Sequence, residues 1–157
     1  MAKTTPATQF LTQAKIAFEL ATYDYDPSAE RIGLQAAEAM GVPPDTVLKT
    51  LMAEVDGKPV CVVVPSDHEV SMKKLAAAFG GKSATMMKPD AAERLTGYKV
   101  GGISPFGQRR RVPTAIEQTA FSHAQVFVNG GQRGLQIKLA PTDAQVALEA
   151  IIAPLVA

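Results

Sequence analysis

The residue types that usually carry covalent chemistry are scarce in this sequence, and their neighbours give them little help. The lone cysteine, Cys61, sits in Val60-Cys61-Val62-Val63-Val64. A thiol in that setting reads as a small buried apolar residue, since a reactive one needs exposure and a nearby cation to ionise it. His68 follows Pro65-Ser66-Asp67 in an expected turn and His123 comes just before an expected strand, with nothing to bring either beside a nucleophile. No Ser/His or Cys/His arrangement is therefore expected. A metal would need several ligands at matched spacing, and none is expected. No organic cofactor is expected either: there is no Walker-type glycine loop ending in Lys-Ser/Thr, and the stretch from Gly97 to Gly107 lacks the strand, turn and helix of a dinucleotide site.

Against that background two features stand out. Lys49 enters an otherwise apolar strand, Val47-Leu48-Lys49-Thr50-Leu51. Such a cation is either an edge residue that reaches solvent or a functional charge. The loop Gly101-Gly102-Ile103-Ser104-Pro105 would let backbone N–H groups approach a ligand closely, as an attacked carbonyl requires, or it is an ordinary irregular turn. Arg109, Arg110 and Arg111, with Lys73 and Lys74 elsewhere, could clamp phosphates or form solvated basic surface.

Local signals predict the elements that hold these residues. Thr5-Pro6 caps a first helix carrying Phe10, Leu11 and Ala14. Phe18 to Asp26 alternates with a period of two and reads as a strand that puts Tyr23 and Tyr25 on one face. Leu34 to Met40 is a short helix stopped by Gly41 and Pro43. Leu48 to Val55 and Val60 to Val64 form a hairpin about Asp56-Gly57, because a type I′ turn needs positive φ at both central residues. Ser71 starts a helix that Gly80-Gly81 ends. Ala84 to Met87 is a short strand, and Pro89 to Thr96 a helix closed by Gly97. Gln125 to Val128 and Leu135 to Leu139 are strands flanking Asn129 to Gly134, and a last helix runs from Pro141-Thr142-Asp143 through Leu148 to Ile152. Helices and strands intermingle, but hairpins are too frequent for regular βαβ alternation, so the expected class is α+β.

At 157 residues and 46% apolar, one sizeable core is affordable and two typical domains are not expected. The longest apolar run, Val60 to Val64, is far below the roughly 20 residues that cross a bilayer, and the N-terminus has no apolar targeting core. No membrane partner is expected. A cytoplasmic location is, given no disulfide framework. A net charge of +1 excludes a protein that coats DNA by bulk basicity, so any nucleic acid must meet a local patch.

Four blocks then carry a resemblance: Val47 to Leu51, Ser71-Met72-Lys73-Lys74-Leu75-Ala76, the long Thr96 to Gln108, and Gly130-Gly131-Gln132-Arg133-Gly134-Leu135. In order and spacing they resemble the YbaK family of aminoacyl-tRNA editing proteins, over nearly the whole chain. The resemblance implies one domain over residues 1–157, with a mixed, mostly antiparallel sheet surrounded by helices. It also implies a deacylase that clears mischarged tRNA in trans, with Cys-tRNA(Pro) as the expected substrate and the substrate's own thiol attacking its ester. In this likeness Lys49 supplies a cation at the acceptor end, Gly101, Gly102, Ile103 and Ser104 contact the scissile ester, and Tyr23, Ile32 and Thr50 line the pocket. Asn129 and Gln136 stand where the cysteine-specific pattern has serine and aspartate. Lys73, Lys74, Arg109, Arg110 and Arg111 are the expected grip on tRNA, and prolyl-tRNA synthetase is a candidate companion. The competing expectation is a non-catalytic module that binds tRNA or a synthetase through the same pocket.

Overall fold

The computed structural model describes residues 4–26 and 32–157. Its centre is the hairpin of β2 (Val47–Val55) and β3 (Lys58–Pro65), closed by Asp56 at φ 50° and Gly57 at φ 81°. The turn chemistry read from Asp-Gly is therefore the turn that forms. On β3, Cys61 and Val63 face one hydrophobic cluster while Val60, Val62 and Val64 face another. Both faces of the strand are covered, which is why the sequence there is continuously apolar instead of alternating. Each of these valines is at most 3% exposed and contributes roughly 1.5–3 kcal/mol by leaving water.

Around the hairpin the sheet reaches eight strands in the order β1-β7-β6-β2-β3-β5-β8, with β4 (Ala84–Met86) paired to β2 off that path. The remaining strands are β1 (Glu19–Thr22), β5 (Thr114–Glu117), β6 (Val126–Asn129), β7 (Leu135–Leu139) and β8 (Ile151–Ala153). Pairings β1–β7, β2–β3, β2–β4 and β6–β7 are antiparallel, and β2–β6, β3–β5 and β5–β8 are parallel. The sheet is thus mixed, with antiparallel pairs in the majority. Helices α1 (Pro6–Gln13), α4 (Pro89–Thr96) and α5 (Pro141–Leu148) send Ala7, Leu11, Ala92, Ala144 and Leu148 into one cluster, and α3 (Met72–Ala78) sends Leu75 and Ala76 into the other. Helix α2 (Ile32–Met40) packs Ala36 and Ala37 against Val47. Among the described residues, no helix is long and apolar enough to cross a membrane.

Two expectations are corrected, and one strand is added. The first strand stops at Thr22 rather than Asp26, because its partner β7 begins at Leu135, opposite Thr22; beyond it the Tyr23 N–H still donates to Gly134 O at 3.0 Å. The last helix stops at Leu148, not Ile152: Glu149 takes the left-handed cap at φ 51°, and Ile151–Ala153 pair instead with β5. Strand β5 itself was not anticipated, since four residues after Pro113 give too short a pattern to read.

Candidate functional site

Strand β2 has two neighbours along one edge and leaves a gap between them. It pairs with β6 only at Val47 and Leu48, and with β4 only from Ala53 to Val55. Lys49, Thr50, Leu51 and Met52 thus have a strand partner on the β3 side alone, although Met52 O also accepts the Met87 N–H at 3.0 Å. The diverging strands open a cleft of about 490 Å³ whose floor is Val47 to Met52. Met86 and Met87 form one wall, Gly101 and Ile103 another, and Asn129 and Gln136 reach in from β6 and β7. The structure therefore brings Lys49, Thr50, Gly101, Ile103, Asn129 and Gln136 to one place, though they lie up to 87 positions apart in sequence.

The polar groups of this cleft are unusually placed. Lys49 is 23% exposed in its side chain, and its Nζ lies 3.8 Å from the Glu69 carboxylate, so its charge is half-buried at the cleft edge. Gln136 is 3% exposed, yet among the described residues its Oε1 has no hydrogen-bond partner; Thr50 Oγ1 and, beside the cleft, the Tyr23 hydroxyl share that condition. Tyr23 lies beside Gly134 and Gln136 without a bond of ordinary geometry, and burial raises its pKa, so the hydroxyl stays a neutral donor and acceptor. A buried polar atom left unpaired costs about 1–3 kcal/mol. Two such atoms, Gln136 Oε1 and Thr50 Oγ1, line the cleft and mark a place shaped for a guest that brings its own donors and acceptors, whereas Tyr23, expected in the pocket, lines the neighbouring recess instead.

The glycine loop is anchored by residues that are remote in sequence. Asn129 Nδ2 donates to Gly101 O at 3.1 Å, and Asn129 Oδ1 accepts the Gly131 N–H at 2.7 Å. Arg133 Nε donates to Val100 O at 2.9 Å, and Glu93 Oε2 accepts the Val100 N–H at 2.8 Å. The Gly102 N–H is spent inside the turn on Lys99 O at 2.8 Å, and Gly102 lies against the backbone of Arg133 rather than in the cleft. Ser104 is fully buried and its Oγ accepts the Phe106 N–H at 3.2 Å, a bond internal to the loop. Gly101, at φ 90°, lines the cleft, and its N–H makes no hydrogen bond among the described residues. Of the loop residues, Gly101 and Ile103 are the ones positioned to meet a ligand.

Other candidates lie elsewhere. Ile32 opens α2, but its side chain is outside the described residues. Lys74 Nζ donates to Val156 O at 2.8 Å, and Lys73 is exposed on the same helix, α3. Arg109 packs over the end of α4, with Nη1 3.4 Å from Arg94 O. Arg111 pairs with Glu149 at 2.8 Å, and with Arg110 it borders a recess at the tip of the β2–β3 hairpin. Seven residues of strand, about 23 Å, separate that tip from Lys49, so Arg110 and Arg111 lie away from the cleft, and Arg109 does not line it either. Burial pushes the Cys61 thiol up to about 12, which keeps it protonated. His68 pairs with Asp67 and His123 with Asp45, and among the described residues no three His, Cys, Asp or Glu side chains gather as metal ligands would. Sequence reasoning missed Glu69, Met86, Met87 and Arg133. Arg133 was visible inside the block Gly130 to Leu135, but its reach to Val100 depends on how two loops pack.

Comparison with known proteins gives a consistent result. The model of the aminoacyl-tRNA editing domain matches residues 26–146. A proposed Cys-tRNA(Pro)/Cys-tRNA(Cys) deacylase, EbsC, of Enterococcus faecalis is 34% identical over 140 residues, covering 87% of this chain and 84% of that protein. A proline–tRNA ligase of Geobacter metallireducens is 31% identical over 100 residues; the match covers 63% of this chain and 17% of the ligase, so the chain corresponds to a small part of that enzyme. Among solved structures, a proposed trans-editing enzyme for prolyl-tRNA synthetase superposes with a TM-score of 0.82 over 99% of both chains at 18% identity, a likeness of fold.

Proposed function

Since this chain belongs to the aminoacyl-tRNA editing domain family, we propose that it is a deacylase acting in trans on mischarged tRNA, with the cleft at the β2 gap as the seat of the aminoacyl group. The observation that carries this reading is the meeting of Lys49, the Gly101 loop and buried unpaired polar atoms in one cleft of about 490 Å³. That volume suits an amino acid and its ester linkage, and is small for a peptide.

Each group has a role in breaking an ester. Lys49 places positive charge beside the carbonyl, where negative charge grows on attack. The Gly101 N–H is a fixed donor for the same oxygen. Gln136 Oε1 and Thr50 Oγ1 receive the substrate's ammonium. Gln136 offers that ammonium a neutral carbonyl, where the cysteine-specific pattern has a carboxylate, so binding there depends on hydrogen bonds more than on charge pairing. Cysteine remains the proposed amino acid, and its thiol the proposed nucleophile. The sulfur attacks its own carbonyl carbon, the C–O bond to the ribose breaks, and the ribose oxygen takes the proton. A thiolactone and free tRNA result. An intramolecular attack of this kind needs only to be held in the right geometry, which accords with a chain whose one cysteine is buried in the core, away from the cleft, and inert. Prolyl-tRNA synthetase is the proposed source of the mischarged tRNA.

The test is a deacylation screen over mischarged tRNAs, with Cys-tRNA(Pro) and Ala-tRNA(Pro) in the first panel and product analysis separating thiolactone from free amino acid. Accelerated release of cysteine is expected. A protein that binds these tRNAs and never shortens their half-lives would be a binding module instead. Hydrolytic release of free cysteine would keep the deacylase and remove the thiolactone route.

A further inference from the structure

Gly101 has a second side. Beyond it lies a recess of about 640 Å³ whose wall includes Asp24, Tyr25 and Arg133. A Cβ on Gly101 would sit 3.0 Å from Tyr25 Oη and 3.3 Å from Arg133 Nε, while the same glycine lines the cleft. One residue without a side chain thus separates the two spaces. The Arg133 guanidinium lies over the Tyr25 ring, 5.4 Å from its centroid. Its Nε bond to Val100 O fixes the guanidinium, and its two terminal nitrogens have no hydrogen bond among the described residues. The side chain is exposed.

A deacylase breaks the ester that joins an amino acid to the ribose of the terminal nucleotide. Whatever holds the amino acid must therefore have that nucleotide directly next door. We propose that Tyr25 and Arg133 form the seat of the terminal nucleotide, with the Arg133 terminal nitrogens on its 5′-phosphate and the Tyr25 ring against its sugar and base. This rests on the deacylase reading above. A guanidinium set over an aromatic ring and fixed through its Nε suits this task, since it presents its terminal donors to a phosphate at little entropic cost. An aromatic face tolerates any base. Asp24 fits too: a carboxylate beside a phosphate-binding cation is a usual partner of ribose hydroxyls. The seat is distinct from Arg110 and Arg111 at the far end of the β2–β3 hairpin and from Arg109 over the end of α4.

Two substrates with the same amino acid test the proposal: the mischarged tRNA that the wild-type protein deacylates fastest, and the corresponding aminoacyl-adenosine, which lacks the 5′-phosphate. For Arg133→Ala, KM for the tRNA is expected to rise about 10- to 100-fold, the loss of one charge-assisted contact. The loss on aminoacyl-adenosine should be at least tenfold smaller. The slope of log affinity against log salt should fall by about 0.7, as for one phosphate contact on a single strand. Arg133→Lys should recover part of the tRNA binding. Equal losses on both substrates, or a fall in kcat with KM unchanged, would mean that Arg133 only steadies the loop through Val100, and would overturn the proposal. The deacylase reading can fail separately, if wild-type protein hydrolyses none of the panel. The seat is then tested directly by isotherms with adenosine 5′-monophosphate and adenosine: Arg133→Ala should erase a preference for the phosphorylated ligand, and a wild-type protein with no such preference refutes the seat.

Discussion

Asn129→Ala tests whether the glycine loop works because it is held. The side chain is 8% exposed and makes two bonds, from Nδ2 to Gly101 O at 3.1 Å and from the Gly131 N–H to Oδ1 at 2.7 Å. Truncation leaves one carbonyl and one N–H without their partner. Both glycines are partly exposed, so water can rehydrate them in part, and the cost is about 1 kcal/mol for each bond, or about 2 kcal/mol together. For a chain of this size that corresponds to a fall in Tm of about 4–8 °C, which leaves the protein folded at room temperature. The catalytic effect should be larger than the stability effect. Gly101, released on one side, no longer fixes its N–H against the carbonyl, and a displacement of about 1 Å in such a donor costs on the order of 100-fold in rate. Thermal denaturation and single-turnover deacylation at saturating protein measure the two separately. Lower Tm with a single-turnover rate within twofold of wild type would show that loop anchoring does not matter to the chemistry. Weaker substrate binding with an unchanged rate would place Asn129 on the substrate instead.

Further outcomes follow from single side chains. Lys49→Ala should lower kcat/KM by about 100-fold or more while leaving the denaturation midpoint close to wild type, because the lost group is half-buried and its Glu69 partner is exposed; an unaltered rate in the folded variant would remove the site assignment. Cys61→Ala should retain activity, and iodoacetamide should not inactivate the wild type below pH 9, since the buried thiol is held near 12; inactivation with modification at Cys61 would contradict this. Glu117 is 1% exposed: burial pushes its carboxyl up, but the N–H groups of Leu155, Thr119 and Val156 outweigh that and set it below the ordinary 4.5. Its stabilising contribution is therefore full above pH about 5 and is lost as pH falls through the depressed value. Glu117→Gln should cost about 1.5–3 kcal/mol at pH 7 and flatten acid denaturation by urea titration, and an unchanged acid limb would refute the assignment. Gly107→Ala should destabilise by at least about 2 kcal/mol, measured by urea denaturation, because φ is 64° and the new Cβ meets the rigid Pro6 carbonyl; Gly101→Ala, at φ 90°, carries backbone strain of about 1–3 kcal/mol but meets side chains rather than backbone, so it should cost less stability than Gly107→Ala.

What the chain decides locally was legible from its residues. The Thr5 cap, the Asp56-Gly57 turn, the Ser71 cap and the glycine stop at Gly97 all depend on neighbours within a few positions, and each forms as read. The burial of Cys61 was likewise legible from its valine neighbours, and the structure adds that both faces of β3 are covered, as a run with no polar face requires. The residues of the candidate site were found largely through family resemblance; composition left Lys49 as edge residue or working charge. Only tertiary structure decided between the possibilities within reach of the sequence. Ile151 to Ala153 continue a helical pattern in sequence and become a strand because β5 offers an open edge. Lys49 lines a cleft because β6 and β4 leave β2 at different points, and strand pairing across that distance is set by the packing of the whole sheet. Gly102 and Ser104 share their neighbours' motif yet spend their polar groups inside the loop, while Arg133 reaches into it from another. Side-chain direction at such a junction depends on contacts between segments far apart in sequence, and no periodicity of either segment contains that information.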